Sequence, residues 1–127
     1  MNKNQLIKKW HGKTVEDCGG YMSDSAKNFA RNFKSYIQTI ANEYGAEVVN
    51  FNIGHYYFSG FIKFNDKYLY FCRDIERWNS PINLYDSSCM GGILIRTATS
   101  DKDYKGGHNH FCNIETLENQ YLMLKKI

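Results

Sequence analysis

The sequence predicts an α+β fold: an antiparallel sheet of about four to five strands packed on one long helix in the N-terminal half, with a short C-terminal helix. Apolar residues first recur every three to four positions and then alternate, and the helical patterns flank the strands instead of separating them. A tight turn joins two of the strands, which makes them antiparallel neighbours. We expect one domain over residues 1–127, because no linker or shift in composition divides the chain.

The long helix is predicted by an apolar stripe whose members lie three and four residues apart: Phe29, Phe33, Tyr36, Ile37, Ile40, Ala41 and Tyr44. Ser23 or Ser25 is suited to cap its N-terminus, and Gly45 is placed to end it. The intervening positions are polar and mildly basic: Lys27, Asn28, Arg31, Asn32, Lys34 and Gln38. They indicate a solvated outer face.

The strands are predicted from the change to a two-residue period after Ala46. Apolar alternation or apolar runs mark strands within 49–53, 58–64, 68–72 and 93–98. Asn65 and Asp66 fit a tight turn between the second and third of these, although the turn type stays open because neither residue is glycine. In 68–72 both faces are apolar or aromatic, so this strand is either covered on both sides or presents a tyrosine row to a partner.

A long polar connection separates the third and fourth strands, and we expect a short strand at Ile82–Tyr85 within it. The stretch from Ser100 to His110 is polar and holds Gly106 and Gly107, which favours a loop whose backbone approaches its neighbours closely. Asn113 fits the N-cap of the closing helix.

Composition and charge narrow the functional classes. The 127 residues carry a net charge of +3, which excludes a polyanion mimic. Ten Tyr and eight Phe are only partly explained by core packing and favour an aromatic binding surface. The sequence holds neither a run of roughly 20 apolar residues nor an apolar signal core, so we expect a cytoplasmic protein without a membrane partner. The four widely spaced cysteines are expected to be reduced thiols.

His108, His110 and Cys112 form an H-x-H-x-C motif, the strongest candidate for metal binding. Alternate residues of an extended chain share a face, so these three ligands would converge on one Zn²⁺ in a strand, with a fourth ligand from a distant segment. The alternative is a polar loop in which Cys112 is a small buried side chain. Zinc is therefore the one cofactor candidate, and the favoured expectation is that the protein has no cofactor.

Motifs for other chemistries are incomplete. Asp74 and Glu76 lack the lysine that a restriction-type nuclease core places after its Glu. Cysteine catalysis needs a thiolate beside a His, and Cys112 is paired with one only in sequence. Neither a glycine-rich phosphate loop nor a nucleophile elbow is present. We expect a protein that is not an enzyme, with a metal-dependent enzyme at the H-x-H-x-C motif as an alternative.

We expect a partner-binding surface built from aromatic and basic residues of the sheet and of the loop 99–110. Its candidate residues are Tyr68, Tyr70, Arg73, Arg77, Arg96, Lys102, Tyr104 and Lys105. Tyrosine and arginine dominate protein interfaces and also serve as platforms for single-stranded nucleic acid. The low net charge favours a protein partner, with nucleic acid as the alternative. A symmetric homodimer through the aromatic face is a third arrangement that the sequence leaves open.

In overall character the chain resembles the small accessory proteins of Gram-positive phages and conjugative elements, including anti-CRISPR inhibitors. The shared features are a short single domain, an Asn/Lys/Tyr/Ile-rich composition with one proline, an aromatic sheet and no catalytic motif. The resemblance implies a stoichiometric inhibitor in the host cytoplasm that binds a host defence nuclease or its guide-bound complex. Many such inhibitors are acidic DNA mimics, and this chain departs from them, so contact with a neutral or acidic protein surface is implied instead.

Overall fold

The long helix, four of the strands and the closing helix follow one another in the order that the apolar patterns predict, and the structure adds a short strand after the polar loop. The computed structural model describes residues 1–15, 23–75 and 80–127. They form three helices and five strands: α1 (Lys3–Trp10), α2 (Asp24–Glu43), β1 (Glu47–Ile53), β2 (Tyr57–Phe64), β3 (Lys67–Asp74), β4 (Ile93–Ala98), β5 (His110–Cys112) and α3 (Leu117–Lys125). The predicted α+β class is therefore confirmed. None of the helices in these ranges has the length and apolar character needed to span a membrane.

The sheet is an antiparallel meander in which each strand pairs with the next along the chain. β2 and β3 are joined by the predicted two-residue turn, in which Asn65 adopts a φ of +51°. Asparagine tolerates this left-handed conformation better than most residues, which explains how the turn closes without glycine.

The strand expected at 82–85 does not form, and this part of the prediction was wrong. Ile82 and Leu84 are buried at alternate positions, which produced the strand-like pattern. Their backbone groups bond outside the sheet: the N–H of Ile82 donates to the carbonyl of Lys13, and the carbonyl of Leu84 accepts from the N–H of Ile114. The segment is a loop that fills the edge of the core.

α2 packs its apolar stripe against the sheet. Ser23 is the N-cap, because its hydroxyl accepts a hydrogen bond from the backbone N–H of Ala26 at 3.1 Å. Gly45 follows the helix with a φ of +70° and ends it, as predicted. The stripe is buried along its length: Ala26, Phe29, Ala30, Phe33, Tyr36, Ile37, Ile40 and Ala41.

All three helices pack on one face of the sheet, which we call the inner face. The main core takes side chains from each helix and from alternate strand positions. Its centre is aromatic, with the rings of Phe33 and Phe58 5.1 Å apart. α1 joins this layer through Trp10, whose indole N–H donates to the side chain of Asn32 at 2.9 Å. On the opposite, outer face no helix packs within the described residues.

Candidate protein-binding face

The outer face carries the side chains that alternate with the core-facing ones along the central strands. One row across the sheet consists of Phe61, Tyr70 and Arg96, which are direct partners on β2, β3 and β4. The neighbouring row continues to β5 and consists of Ser59, Cys72, Leu94 and Phe111. On the other side Tyr68 pairs with Lys63 and Ala98. Three of the predicted site residues, Tyr68, Tyr70 and Arg96, therefore share one face.

An aromatic cluster of Phe61, Tyr70, Arg96 and Tyr104 lies at the centre of this face. The ring centroids of Phe61 and Tyr70 are 5.2 Å apart, and those of Phe61 and Tyr104 are 5.4 Å apart. The guanidinium of Arg96 lies 4.5 Å from the centroid of the Tyr70 ring, within cation–π range. Burial raises the pKa of Tyr70 to about 12. Phe61 is fully buried although it lies outside the main core, so the cluster is a small second core.

The cluster is covered by residues 99–107, which we call the covering loop. The carboxylate of Asp103 organises this loop: one oxygen accepts from the N–H and hydroxyl of Thr99, and the other accepts from the N–H groups of Lys105 and Gly106, at 2.7–3.1 Å. These backbone donors hold the pKa of the Asp103 carboxyl well below its ordinary range. The guanidinium of Arg96 donates to the Asp103 carbonyl at 3.0 Å, which ties the loop to β4.

Close backbone approach at the glycine pair is required, as predicted. Gly107 adopts a φ of +71°, and a Cβ there would lie 2.5 Å from the carbonyl oxygen of Thr97. A Cβ at Gly106 would clash with the Asp103 carboxylate. Side chains at either position would push the covering loop off the sheet.

A bulge in β1 anchors the covering loop from the far side. Asn50 and Phe51 together oppose the single residue Gly60, and Asn50 adopts a φ of +49°. This conformation directs the Asn50 side-chain amide to the loop, where it donates to the Asp101 carbonyl at 2.7 Å and to the Tyr104 hydroxyl at 3.1 Å. The tip of Tyr104 is thereby fixed while the side chain stays half exposed.

Beside the cluster the outer face stays accessible. Cys72, Leu94 and Phe111, which we call the apolar row, are each partly exposed. Tyr57 continues the surface at the start of β2 and is 44% exposed. Tyr104 borders it from the covering loop and is 51% exposed. The face therefore presents aromatic and aliphatic side chains to solvent next to a rigid, pre-packed cluster.

Arg73 does not belong to this surface, which corrects the expectation that it shares one sheet region with Arg96. It lies on the inner face, 5% exposed, with its guanidinium 5.2 Å from the Phe29 ring. Its nitrogens donate to the carbonyls of Asp74 at 2.8 Å and Asn83 at 3.2 Å. Because successive strand residues point to opposite faces, odd positions of β3 face the helices. Arg77, also predicted here, lies outside the described residues.

Of the remaining predicted residues, Lys102 and Lys105 are exposed in the covering loop. Three residues of the site were not among the predicted ones: Asn50, Phe61 and Asp103. Phe61 is an apolar residue between the alternating apolar positions of β2. An apolar residue at such a position indicates a strand that is covered on both faces. Asp103 comes two and three residues before the N–H groups that it binds, the spacing of an Asx turn.

The residues of the H-x-H-x-C motif are not brought together. Only His110 and Cys112 lie on β5, and His108 precedes the strand in an exposed loop. The Cys112 thiol is buried and donates to the Ile93 carbonyl at 3.5 Å, as a small core side chain does. Among the described residues, no three His, Cys, Asp or Glu side chains are grouped to hold a metal ion. Zinc binding at this motif stays an untested alternative, which metal analysis of the purified protein can decide.

Two cysteines on the sheet are held as thiols. Burial raises the pKa of Cys72 to about 11 and that of Cys112 to about 12. A cysteine nucleophile needs a thiolate near neutral pH, which requires a shift in the opposite direction. The pairing of Cys112 with a histidine, considered from sequence as a catalytic pair, therefore gains no support from its environment, and Cys72 is no better placed to act as a nucleophile.

Comparison with protein-family models, curated proteins and solved structures gave no match.

Proposed function

We propose that the protein is a non-enzymatic binding module that holds a protein partner on its outer face. The observation that carries this proposal is the partly exposed apolar row of Cys72, Leu94 and Phe111, on a sheet face where no described helix packs. Contiguous apolar surface of this kind marks interaction sites, because its exposure to water costs about 25 cal/mol per Å².

The aromatic cluster supplies anchors that are already in position. The ring of Tyr104 contacts Phe61 and Tyr70, and its hydroxyl accepts the hydrogen bond from Asn50. Half of the side chain nevertheless faces solvent. A tyrosine that is fixed before binding loses little rotamer freedom on binding, so its contact area contributes more fully to affinity.

The charges on this face favour a protein over a nucleic acid. Arg96 is 3% exposed and its guanidinium donates to two backbone carbonyls, so it is not presented to a phosphate. Lys102 and Lys105 are accompanied by Asp101 and Asp103 within the same loop. A platform for single-stranded nucleic acid needs an excess of cations along its groove.

The class of partner is taken from the resemblance to phage and mobile-element proteins. The proposal is that the protein acts as an anti-CRISPR-type inhibitor, which binds a host defence nuclease or its guide-bound complex in the cytoplasm of the host. An inhibitor of this kind needs a rigid, complementary surface and no catalytic group, and the packed cluster with its adjoining apolar row meets that requirement.

The test uses the double variant Leu94→Gln/Phe111→Gln, which keeps the strands and makes the apolar row polar. Phage plating is measured in cells that carry an RNA-guided nuclease directed against the phage, and binding to the purified nuclease is measured in parallel. We expect the wild-type protein to restore plating and the double variant to lose both plating and binding. The control is Met123→Gln, because Met123 is a 63% exposed apolar residue on α3, away from the outer face.

Three outcomes contradict the proposal in different ways. Equal activity of the double variant and the control would show that the outer face is not the binding site. If the wild-type protein neither restores plating nor binds the nuclease, the protein is not an inhibitor of that nuclease. A homodimer in solution that Leu94→Gln/Phe111→Gln converts to a monomer would show that the apolar row joins two copies of the chain.

A further inference from the structure

The small net charge of the protein conceals an uneven distribution. Residues 1–40 hold seven Lys and Arg against three Asp and Glu, a net charge of +4, whereas residues 41–127 hold nine against ten, a net charge of −1. The positive charge resides with α1 and α2, because the segment between them carries one Lys against one Glu and one Asp. These helices form the layer on the side of the molecule opposite the outer face.

The basic residues of α2 form a stripe on its solvent-facing side. Lys27, Arg31 and Lys34 lie at positions i, i+4 and i+7, so they run along one side of the helix over roughly 10 Å. Arg31 and Lys34 are exposed, and Lys27 is partly exposed. Lys8 and Lys9 are exposed on α1, the adjoining helix, and Lys13 is exposed in the chain just after it. We call these six residues the basic helical surface.

Among the described residues, no carboxylate forms a salt bridge with these cations. Between Asp24 and Glu43, α2 carries no Asp or Glu, and α1 carries none at all. Within the described residues the one salt bridge joins Lys3 to Glu115, which leaves the six cations without a carboxylate within 4.0 Å. A helix adapted only to solvent commonly places an acidic residue three or four positions before a basic one. On α2 only Lys27 has such a residue, Asp24, whereas Arg31 and Lys34 have none, which points to a negative partner.

The polar residues between the cations indicate what kind of negative partner fits. The exposed side of α2 interleaves its lysines with amide and hydroxyl side chains: Asn28, Asn32, Ser35, Gln38, Thr39 and Asn42. Lys and Arg combined with Asn, Gln, Ser and Thr are the side chains that contact the sugar-phosphate backbone of nucleic acids. Neither α1 nor α2 has an exposed large apolar side chain, which a protein interface or a membrane-inserted helix would need.

We infer that the basic helical surface binds the phosphate backbone of a nucleic acid, independently of base sequence and on the opposite side of the molecule from the outer face. This surface differs from the Arg/Tyr sheet face considered from sequence as a nucleic-acid platform. It also does not depend on the proposed inhibitor role, because a different layer of the fold and different side chains form it. Together the two surfaces allow one molecule to contact a protein and a nucleic acid at once.

The test measures fluorescence anisotropy of a labelled single-stranded DNA of about 20 nucleotides between about 50 mM and 200 mM salt. We compare the wild-type protein with Lys27→Gln/Arg31→Gln/Lys34→Gln. Loss of three phosphate contacts lowers the slope of log affinity against log salt by about 2, and weakens binding roughly 100-fold near 0.1 M salt. Lys8→Gln/Lys9→Gln/Lys13→Gln is a second variant with the same charge change, and thermal melts confirm that each variant is folded.

The matched control removes the same charge from the outer face: Lys63→Gln/Lys102→Gln/Lys105→Gln. We expect it to bind the DNA within a few-fold of the wild-type protein. Equal losses in control and helical variants would overturn the inference, because net charge alone would then explain binding. Absence of wild-type binding at about 50 mM salt would overturn it too. If poly-glutamate displaces the labelled DNA as effectively as unlabelled DNA of equal charge does, the surface binds an acidic protein instead.

Discussion

Phe61→Ala tests whether the covering loop is held in place by the aromatic cluster. Phe61 is fully buried, and its ring contacts Tyr70 at 5.2 Å and Tyr104 at 5.4 Å between centroids. Truncation of a buried Phe to Ala costs about 3–5 kcal/mol when the surroundings cannot collapse. Because a loop covers this site, partial collapse places the expected loss near the lower end, about 3 kcal/mol. For a domain of this length that is a fall in melting temperature of roughly 10 °C.

The control is Phe58→Ala, on the same strand but on the inner face, where its ring packs 5.1 Å from Phe33. Urea denaturation gives the stability of both variants, and amide hydrogen exchange is followed at Lys105 and Gly106. We expect both variants to be destabilised, and only Phe61→Ala to accelerate exchange at these two amides relative to the rest of the sheet. Native-like protection of the covering loop in Phe61→Ala, or a stability loss below about 1 kcal/mol, would refute the second-core description.

Further predictions concern the anchors of the loop, the thiols and the metal. Asp103→Asn should shift the backbone amide resonances of the covering loop at neutral pH. In the wild-type protein the lowered pKa of Asp103 stabilises the loop fully above the unfolded value of about 4, and this contribution is lost only as pH falls from there through the lower folded pKa. The wild-type loop shifts should therefore stay constant down to about pH 3, and a titration of these shifts with a midpoint near 4 would contradict the assignment. Asn50→Ala should lower the free energy of unfolding by about 1–2 kcal/mol, because alanine is strained at φ +49°. Asn50→Gly should restore most of that loss, because glycine adopts this conformation freely. Equal losses for the two variants in urea denaturation would exclude strain as the cause. In the native protein, mass-mapped alkylation should label the exposed Cys89 and spare Cys112, whose burial raises its pKa to about 12. Elemental analysis should find zinc well below one equivalent, and a stoichiometric amount lost on substitution of the H-x-H-x-C motif would reverse that expectation.

Local patterns in the sequence were sufficient where one element's own periodicity decides its structure. The apolar stripe of α2, its start at a serine and its end at Gly45 were all predicted, because helix burial and capping depend on residues within a few positions of one another. The turn at Asn65 was predicted for the same reason. The alternation at 82–85 failed, since burial at every second position arises in a loop at the core edge as well as in a strand.

The sequence by itself determined the fold class, the long helix and the presence of an aromatic sheet, because these follow from local periodicity. Only the tertiary structure decided which side of each strand faces the helices. It separated Arg73 from Arg96 and placed Phe61 under a loop more than thirty residues away in sequence. Both faces of β3 are apolar. Alternation therefore predicts which of its residues share a face, but it does not predict which of the two faces packs against the helices. Strand register, the bulge at Asn50 and the covering loop settle that choice, and all three depend on contacts between distant segments.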